Sequence, residues 1–290
     1  MNVAVIGLGK IAKYYIEAIN ANPNYKLVAA VDQIRTELFE KLESKNIKMY
    51  DDYQKLDLTN IDNIYILTPY ENHEKIIEYF LLFNKNIFCD KLVSLDLIKA
   101  QKIISTAKLL NVVYHYRFGS EVIFFNSHYK IEGIEEIIID IHDPYYSEGK
   151  IIEQAVSLKG AWLDSAPNAF SLLAMYLDIN QLKLIKKEVE YWGDIDYYQS
   201  RMYLYFNKKV IINIKWGTEN NKKTTIKTKR GDIILHHTEQ EVIMDGSIVF
   251  KNNQNRLQTH YQNFFSFHTD IKLSENEILA IHTKVLEGEN

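Results

Sequence analysis

The sequence predicts an α/β chain in two parts: residues 1–117 as a doubly wound domain built on a parallel sheet, and residues 118–290 as an α+β domain with a large, mostly antiparallel sheet. Three observations carry this reading. Up to about residue 117, short apolar runs alternate with segments of helical spacing. A glycine turn follows the first of those runs. Beyond residue 117 the alternation gives way to strand-like runs punctuated by turn residues.

Residues 3–6, Val-Ala-Val-Ile, form a continuous apolar run suited to a strand covered on both faces, and they lead into Gly7-Leu8-Gly9-Lys10-Ile11-Ala12. Gly7 and Gly9 lack the Cβ that would hold a pyrophosphate off the backbone, and a helix over 12–21 aims its free N–H groups at that phosphate. This is the opening of a Rossmann dinucleotide-binding domain, with Gly7, Leu8, Gly9, Lys10 and Ile11 as cofactor contacts. The second strand, 26–31, ends at Asp32, where the ribose hydroxyls of the adenosine would lie. An acid there favours NAD over NADP, because a 2′-phosphate would face a carboxylate. Arg35 is the opposing candidate, since its guanidinium can pair with a phosphate.

The remaining strands of this domain fall at 63–67, 86–89 and 112–116, with helices at 36–44, 73–83 and 95–110, the last capped by Ser94. In the second part, strands at 134–142, 184–192, 199–206 and 210–216 flank one amphipathic stretch at 162–177. Further strands at 223–229, 232–236, 241–244 and 247–250 alternate with the turn signals Arg230-Gly231 and Asp245-Gly246, as an antiparallel meander would. Helices near 257–268 and 274–286 close the chain.

Composition sets the class. With 47% hydrophobic, 25% charged and 12% aromatic residues, the chain of 290 residues is globular and long enough for two domains. A formal net charge of −4 supplies no long-range attraction to nucleic acid or anionic lipid, so neither partner is expected. The single cysteine, Cys89, excludes an internal disulfide framework and a multi-cysteine zinc site. With no leader pattern and no run of about 20 apolar residues, a cytoplasmic protein is expected. His236-His237 face opposite ways on a strand, so no metal is expected. The basic run 222–230 reads as a solvated sheet edge.

In an open α/β sheet, ligands bind beyond the carboxyl ends of the strands, which directs attention to Thr68-Pro69-Tyr70-Glu71-Asn72-His73 and to Asp90-Lys91-Leu92. A lysine beside a positively charged nicotinamide is suited to exchanging a proton near neutral pH. Asp164 and Asn168 are spaced i to i+4, which puts both on one helix face. Pro167 places the start of that helix close to Ser165 or Ala166 and leaves Asp164 near its N-cap. Trp162 and Tyr116 either offer ring faces to a sugar or pack in the core. His73 either closes over the cofactor or serves as an ordinary cap.

Taken together, the opening glycines, Asp32, the Thr68-Pro69 to His73 loop, Cys89-Asp90-Lys91, Tyr116-Arg117-Phe118 and the block from Gly160 to Asn168 resemble the glucose–fructose oxidoreductase, inositol dehydrogenase and rhizopine catabolism family. The resemblance implies an NAD(P)-dependent oxidoreductase acting on a sugar or sugar derivative. It adds Thr68, Pro69, His73, Asp90 and Lys91 to the cofactor contacts. It assigns catalysis to Lys91, Asp164 and Asn168, and substrate contact to these three with Tyr116 and Trp162.

Three positions depart from the family pattern: Asp90 replaces a glutamate and keeps its charge, Leu92 replaces a proline after the lysine and removes a fixed φ, and Asn168 replaces a histidine. Asp-x-x-x-Asn-Ala resembles the branch of galactose and arabinose 1-dehydrogenases, in which asparagine orients the hydroxyl but shuttles no proton. Alternatives are a ketoreductase or dehydrogenase acting at another carbon of a nucleotide-linked or polysaccharide sugar, and a non-catalytic sensor of cofactor or sugar. The apolar content of the second sheet points to a homodimer or homotetramer formed through it.

Overall fold

The computed structural model describes residues 1–156, 158–191, 198–205 and 209–289, and it separates into two compact units. The first unit comprises Met1–Tyr114 and Tyr261–His282, the second His115–His260 and Thr283–Asn290. The units therefore differ from the contiguous halves 1–117 and 118–290, because a late segment of the chain belongs with the first.

The first unit runs β1 (Asn2–Ile6), α1 (Ala12–Ala21), β2 (Lys26–Val31), α2 (Glu37–Glu43), β3 (Lys48–Tyr50), β4 (Asn63–Ile66), α3 (His73–Phe80), β5 (Asn86–Asp90), α4 (Leu97–Thr106) and β6 (Leu110–Val113). Its sheet is wholly parallel, in the order β3-β2-β1-β4-β5-β6. This is the doubly wound Rossmann order, which reverses between β1 and β4 and opens a crevice there. Val3, Ala4, Val5, Ile64, Tyr65 and Ile66 are fully enclosed, as a strand pair covered on both faces requires.

Three details differ from the sequence reading. Ser94 does not cap α4; its hydroxyl bonds Glu74 and accepts the Asp96 amide, while Asp96 caps the helix through the Ile98 and Lys99 amides. β6 ends at Val113, and Tyr116 lies in a 3-10 turn, His115–Phe118, rather than on a strand. β3 was not anticipated: it is a three-residue edge strand with no apolar run to announce it.

The late segment joins the first unit through aromatic rings. Tyr261 and Phe265 lie against Tyr15 and Tyr65, with ring centres 4.3 Å apart for Tyr15 and Tyr261 and 5.3 Å for Tyr65 and Phe265. Phe264 and Phe88 add an edge contact at 6.0 Å. Each such ring removes a large apolar area from water, which explains why this segment packs here.

The second unit contains α5 (Ser120–His128), β7 (Ile134–Asp143), the small hairpin β8 (Tyr146–Ser147) and β9 (Lys150–Ile151), α6 (Glu153–Val156) and α7 (Ala161–Leu173). Then follow β10 (Leu184–Tyr191), β11 (Tyr198–Tyr205), β12 (Lys209–Trp216), β13 (Asn221–Thr228), β14 (Gly231–His236), β15 (Glu241–Met244) and β16 (Ser247–Lys251). The expected strand ends at Trp192 and Phe206 lie outside the described residues. The sheet has eight strands in the order β10-β11-β12-β7-β13-β14-β15-β16, antiparallel throughout except for β7 with β12. Asp245 and Gly246, both at positive φ, make the tight turn between β15 and β16.

Isoleucines alternate along β7 and β12, so that Ile137, Ile139, Ile141, Ile212 and Ile214 face one enclosed side, where α7 lies against β7, β11 and β12. The run 222–230 is not a solvated edge. β13 sits between β7 and β14, and Lys222 is buried at 2% exposure, while Lys223 and Lys227 pair with Asp140 and Glu136 on β7. The remaining helices are α8 (Arg256–Phe267) and α9 (Glu275–Glu289). Among the described residues no helix is long and apolar enough to cross a membrane.

Candidate functional site

The turn after β1 is built for close approach. Gly7 sits at φ +94°, and a Cβ there would lie 2.8 Å from the Thr68 nitrogen and 2.9 Å from the Leu67 carbonyl carbon. Only glycine lets the β1 turn and the loop after β4 meet at the point where strand order reverses. At Gly9 a Cβ would meet nothing within 4 Å, so the backbone there faces open space ahead of α1. Asp32 stabilises this turn directly: Leu8 N–H donates to its Oδ2 at 2.6 Å, and Ile34 N–H to its Oδ1 at 2.9 Å. Arg35 is exposed, pairs with Glu43 at 2.5 Å and lies over the Phe39 ring.

The loops after β4 and β5 are joined by His73. Its ring is buried, with Nδ1 2.6 Å from the Leu92 carbonyl and Nε2 2.6 Å from the Thr68 carbonyl. Burial pushes its pKa down, and the two carbonyl contacts oppose that shift. His73 thus packs between the two loops at the first residue of α3, where a neutral ring donates to one of the two carbonyls. The Thr68 hydroxyl is buried without a hydrogen-bond partner, Pro69 is exposed, and Asp90 and Lys91 are half-buried at the end of β5. The Lys91–Leu92 peptide is cis. A glycine turn open at Gly9, an acid at the end of β2 and an unpaired hydroxyl at Thr68 fit a dinucleotide laid across the carboxyl edge of this sheet.

In the second unit, Asp164 and Asn168 both lie on α7, one turn apart. The helix begins at Ala161, earlier than Pro167 suggests, and carries the proline inside it. Burial of Trp162 and Leu163 in the first turn offsets the missing N–H. Asp164 is therefore a first-turn residue, with Gly160 at the cap. Asn168 is 2% exposed and its Oδ1 has no hydrogen-bond partner, an acceptor held ready inside the protein. Trp162 is a core residue: it is fully enclosed, donates its indole N–H to the Val285 carbonyl at 2.9 Å and meets Phe170 edge-on.

Around Tyr116 the second unit holds a polar cluster that the sequence did not announce. The Arg256 guanidinium lies 5.5 Å from the centre of the Tyr116 ring, and the His237 and His260 rings stand at 5.7 and 5.8 Å. Burial raises the Tyr116 pKa, with Asp143 and Asp164 adding to the rise and Arg256 opposing it. His260 is pushed well down by burial and by the neighbouring Arg256, His115 and His237. His237 bonds Glu121 at 2.7 Å and Thr224 at 2.9 Å.

Lys222 pairs with Asp143 at 2.9 Å and donates to the His142 carbonyl at 3.1 Å and to Asn220, while Asp143 accepts the Ser165 hydroxyl at 3.0 Å. Burial lowers the Lys222 pKa and Asp143 opposes that. This chain of bonds anchors α7 at Ser165, the residue after Asp164. Among the described residues no group of three or more metal-ligating side chains occurs.

Comparison with known proteins places this geometry. Residues 1–118 match the model of the oxidoreductase family with an NAD-binding Rossmann fold. The chain is similar to an inositol 2-dehydrogenase of Rhizobium meliloti (strain 1021), 29% identical over 120 residues that make up 39% of this chain and 36% of that protein. The matched stretch thus spans about a third of the relative's length.

Over the whole chain the likeness is one of fold. A UDP-N-acetylglucosamine 3-dehydrogenase from Acidithiobacillus ferrooxidans superposes with a TM-score of 0.80 at 12% identity, covering 99% of this chain and 96% of that one. A 3-ketoreductase from Actinomadura kijaniata, solved with NADP, gives 0.79 at 15% identity, covering 98% and 95%.

Proposed function

We propose a function from one premise: residues 1–118 belong to the glucose–fructose oxidoreductase, inositol dehydrogenase and rhizopine catabolism family of NAD(P)-binding oxidoreductases. The protein oxidises a CH–OH group of a sugar, or runs the reverse reduction. A nicotinamide held by these residues would supply the acceptor for the hydride on the carbinol carbon. The chain's own residues do the rest. Gly7 to Ile11, Asp32, Thr68, Pro69 and Asp90 hold and orient the dinucleotide, and buried His73 supports the loops that carry Thr68 and Lys91. Lys91, as the free amine, takes the hydroxyl proton and passes it to solvent, Asp164 accepts a hydrogen bond from the substrate, and Asn168 fixes the direction of the reacting hydroxyl.

The observation that carries this reading is the Asn168 amide oxygen, buried and unpartnered one turn from Asp164. An amide cannot exchange a proton at neutral pH, so this helix face offers orientation where a histidine would add a second titrating group. That deficit matters least at the anomeric carbon, whose hydroxyl is acidified by the ring oxygen. The favoured reaction is therefore oxidation of an aldose at C1. NAD is the preferred cofactor, because Asp32 would meet a 2′-phosphate with like charge. Self-association through the eight-stranded sheet, as a homodimer or homotetramer, belongs to the same reading and is checked by light scattering.

The test incubates the purified protein with NAD or NADP and a panel of aldoses, polyols and nucleotide sugars, following the absorbance of the reduced nicotinamide. Turnover of an aldose, lowered about 10² to 10⁴-fold in Lys91→Ala, supports the reading. Turnover confined to nucleotide sugars would move the reacting carbon away from C1. Cofactor binding with no turnover on any of them would make the protein a sensor.

A further inference from the structure

A histidine near the carboxyl end of the chain reaches the loop that carries Lys91. His282 of α9 is fully buried, and its Nε2 accepts the Val93 amide N–H at 2.9 Å across 189 positions of sequence. The opposite ring nitrogen, Nδ1, lies 2.9 Å from the Ile278 carbonyl. That carbonyl needs a donor and the Val93 amide needs an acceptor, so one neutral tautomer satisfies both. On the other side of the same loop, His73 of α3 places its Nδ1 2.6 Å from the Leu92 carbonyl, to which its Nδ1–H tautomer donates.

Two consecutive residues, Leu92 and Val93, are thus gripped through their backbones by two imidazoles from different helices, immediately after Lys91. Both residues are also buried, at 1% and 0% exposure. Leu92 stands where a proline would otherwise stiffen this loop, so external bonds must supply the rigidity that the backbone lacks.

We infer that His282 is a positioning residue for Lys91: by fixing the Val93 amide, with His73 fixing the Leu92 carbonyl, it sets where the lysine amine stands. The inference rests on the reading of Lys91 as the proton-exchanging group. A displacement of about 1 Å at such a group costs on the order of 10²-fold in rate, so a bond two residues away is enough to matter.

The experiment compares His282→Gln, which keeps an acceptor near the Nε2 position, with His282→Met, which is close in shape and has none. Hydrogen exchange at the Val93 amide and the rate at which a small acylating reagent labels Lys91, with exposed Lys26 as internal reference, are read by mass spectrometry in the presence of NAD. In His282→Met the Val93 amide exchanges at least about tenfold faster and Lys91 labelling changes by about threefold or more, while His282→Gln stays near wild type.

Val93 exchange within about twofold of wild type in His282→Met overturns the inference. So does faster exchange with Lys91 labelling unchanged, which is what a purely structural histidine would give. Should His282→Met fail to fold, the unsubstituted protein still decides, because an unprotected Val93 amide overturns the inference by itself. Loss of the Lys91 reading appears separately, as undiminished turnover in Lys91→Ala with both His282 readouts intact.

Discussion

Replacing Lys222 with methionine tests how the second unit holds α7. Lys222 is 2% exposed and its ammonium spends its bonds on Asp143, the His142 carbonyl and Asn220. Methionine fills nearly the same volume but leaves the Asp143 carboxylate buried with the Ser165 hydroxyl as its remaining donor among these bonds. Breaking a buried pair from one side costs about 3–5 kcal/mol, because the surviving charge keeps its desolvation penalty. In a unit of about 150 residues, each kcal/mol lowers the melting temperature by roughly 2–4 °C. The expected drop is therefore on the order of 10 °C.

The double variant Lys222→Met with Asp143→Leu removes both charges and recovers part of that loss, leaving about 1 kcal/mol for the abandoned Ser165 hydroxyl and a further deficit because buried Arg256 loses the nearby Asp143 charge. Differential scanning calorimetry on the wild type, both single variants and the double variant closes the cycle. A single variant melting within about 3 °C of wild type would refute the claim that this pair is enclosed. A double variant no better than its parents would refute the desolvation argument.

Other outcomes follow from the same bonds. Gly7→Ala combines an unfavourable positive φ with a Cβ 2.8 Å from the Thr68 nitrogen, so it loses about 2–5 kcal/mol of stability and measurable NAD affinity; equal affinity in a fluorescence titration would show that the loops can separate. Burial pushes the His282 pKa down from 6.5 to about 4, so its native state stays neutral while the unfolded chain takes up a proton. Its contribution to stability is complete above pH 6.5 and is lost as pH falls towards 4, amounting to roughly 3 kcal/mol. His73 and His260, also pushed down by burial, act in the same direction. Denaturant unfolding between pH 4 and 7 should show a shallower acid decline in His282→Gln; parallel curves would mean His282 titrates normally.

What the sequence revealed and concealed follows from the range of the forces involved. β1, β2, β4 and β5 are legible because a strand enclosed on both faces must be apolar without interruption, and Val3, Leu27, Ile64 and Ile87 are. Gly7 and Asp32 are legible because a tight turn restricts its residues locally. The turn at His115–Phe118 was missed because Val112, Val113 and Tyr114 are strand formers, and only packing ends the strand at Val113.

Lys222 looks like any surface lysine until Asp143 on the neighbouring strand closes over it, and His282 gives no sign of a partner as distant as Val93. The i to i+4 spacing put Asp164 and Asn168 on one face correctly, while Pro167 misled about where α7 begins. A local rule for proline gave way to the burial of Trp162 and Leu163.

The aromatic joint between Tyr15, Tyr65 and Phe88 on one side and Tyr261, Phe264 and Phe265 on the other has a temporal consequence. On the ribosome the strands that carry Tyr65 and Phe88 emerge first, yet the rings that seal them are translated much later. The nascent polypeptide must keep Tyr15, Tyr65 and Phe88 from foreign partners while nearly two hundred further residues are added. Chaperone demand during synthesis should therefore fall sharply only when Phe265 leaves the exit tunnel.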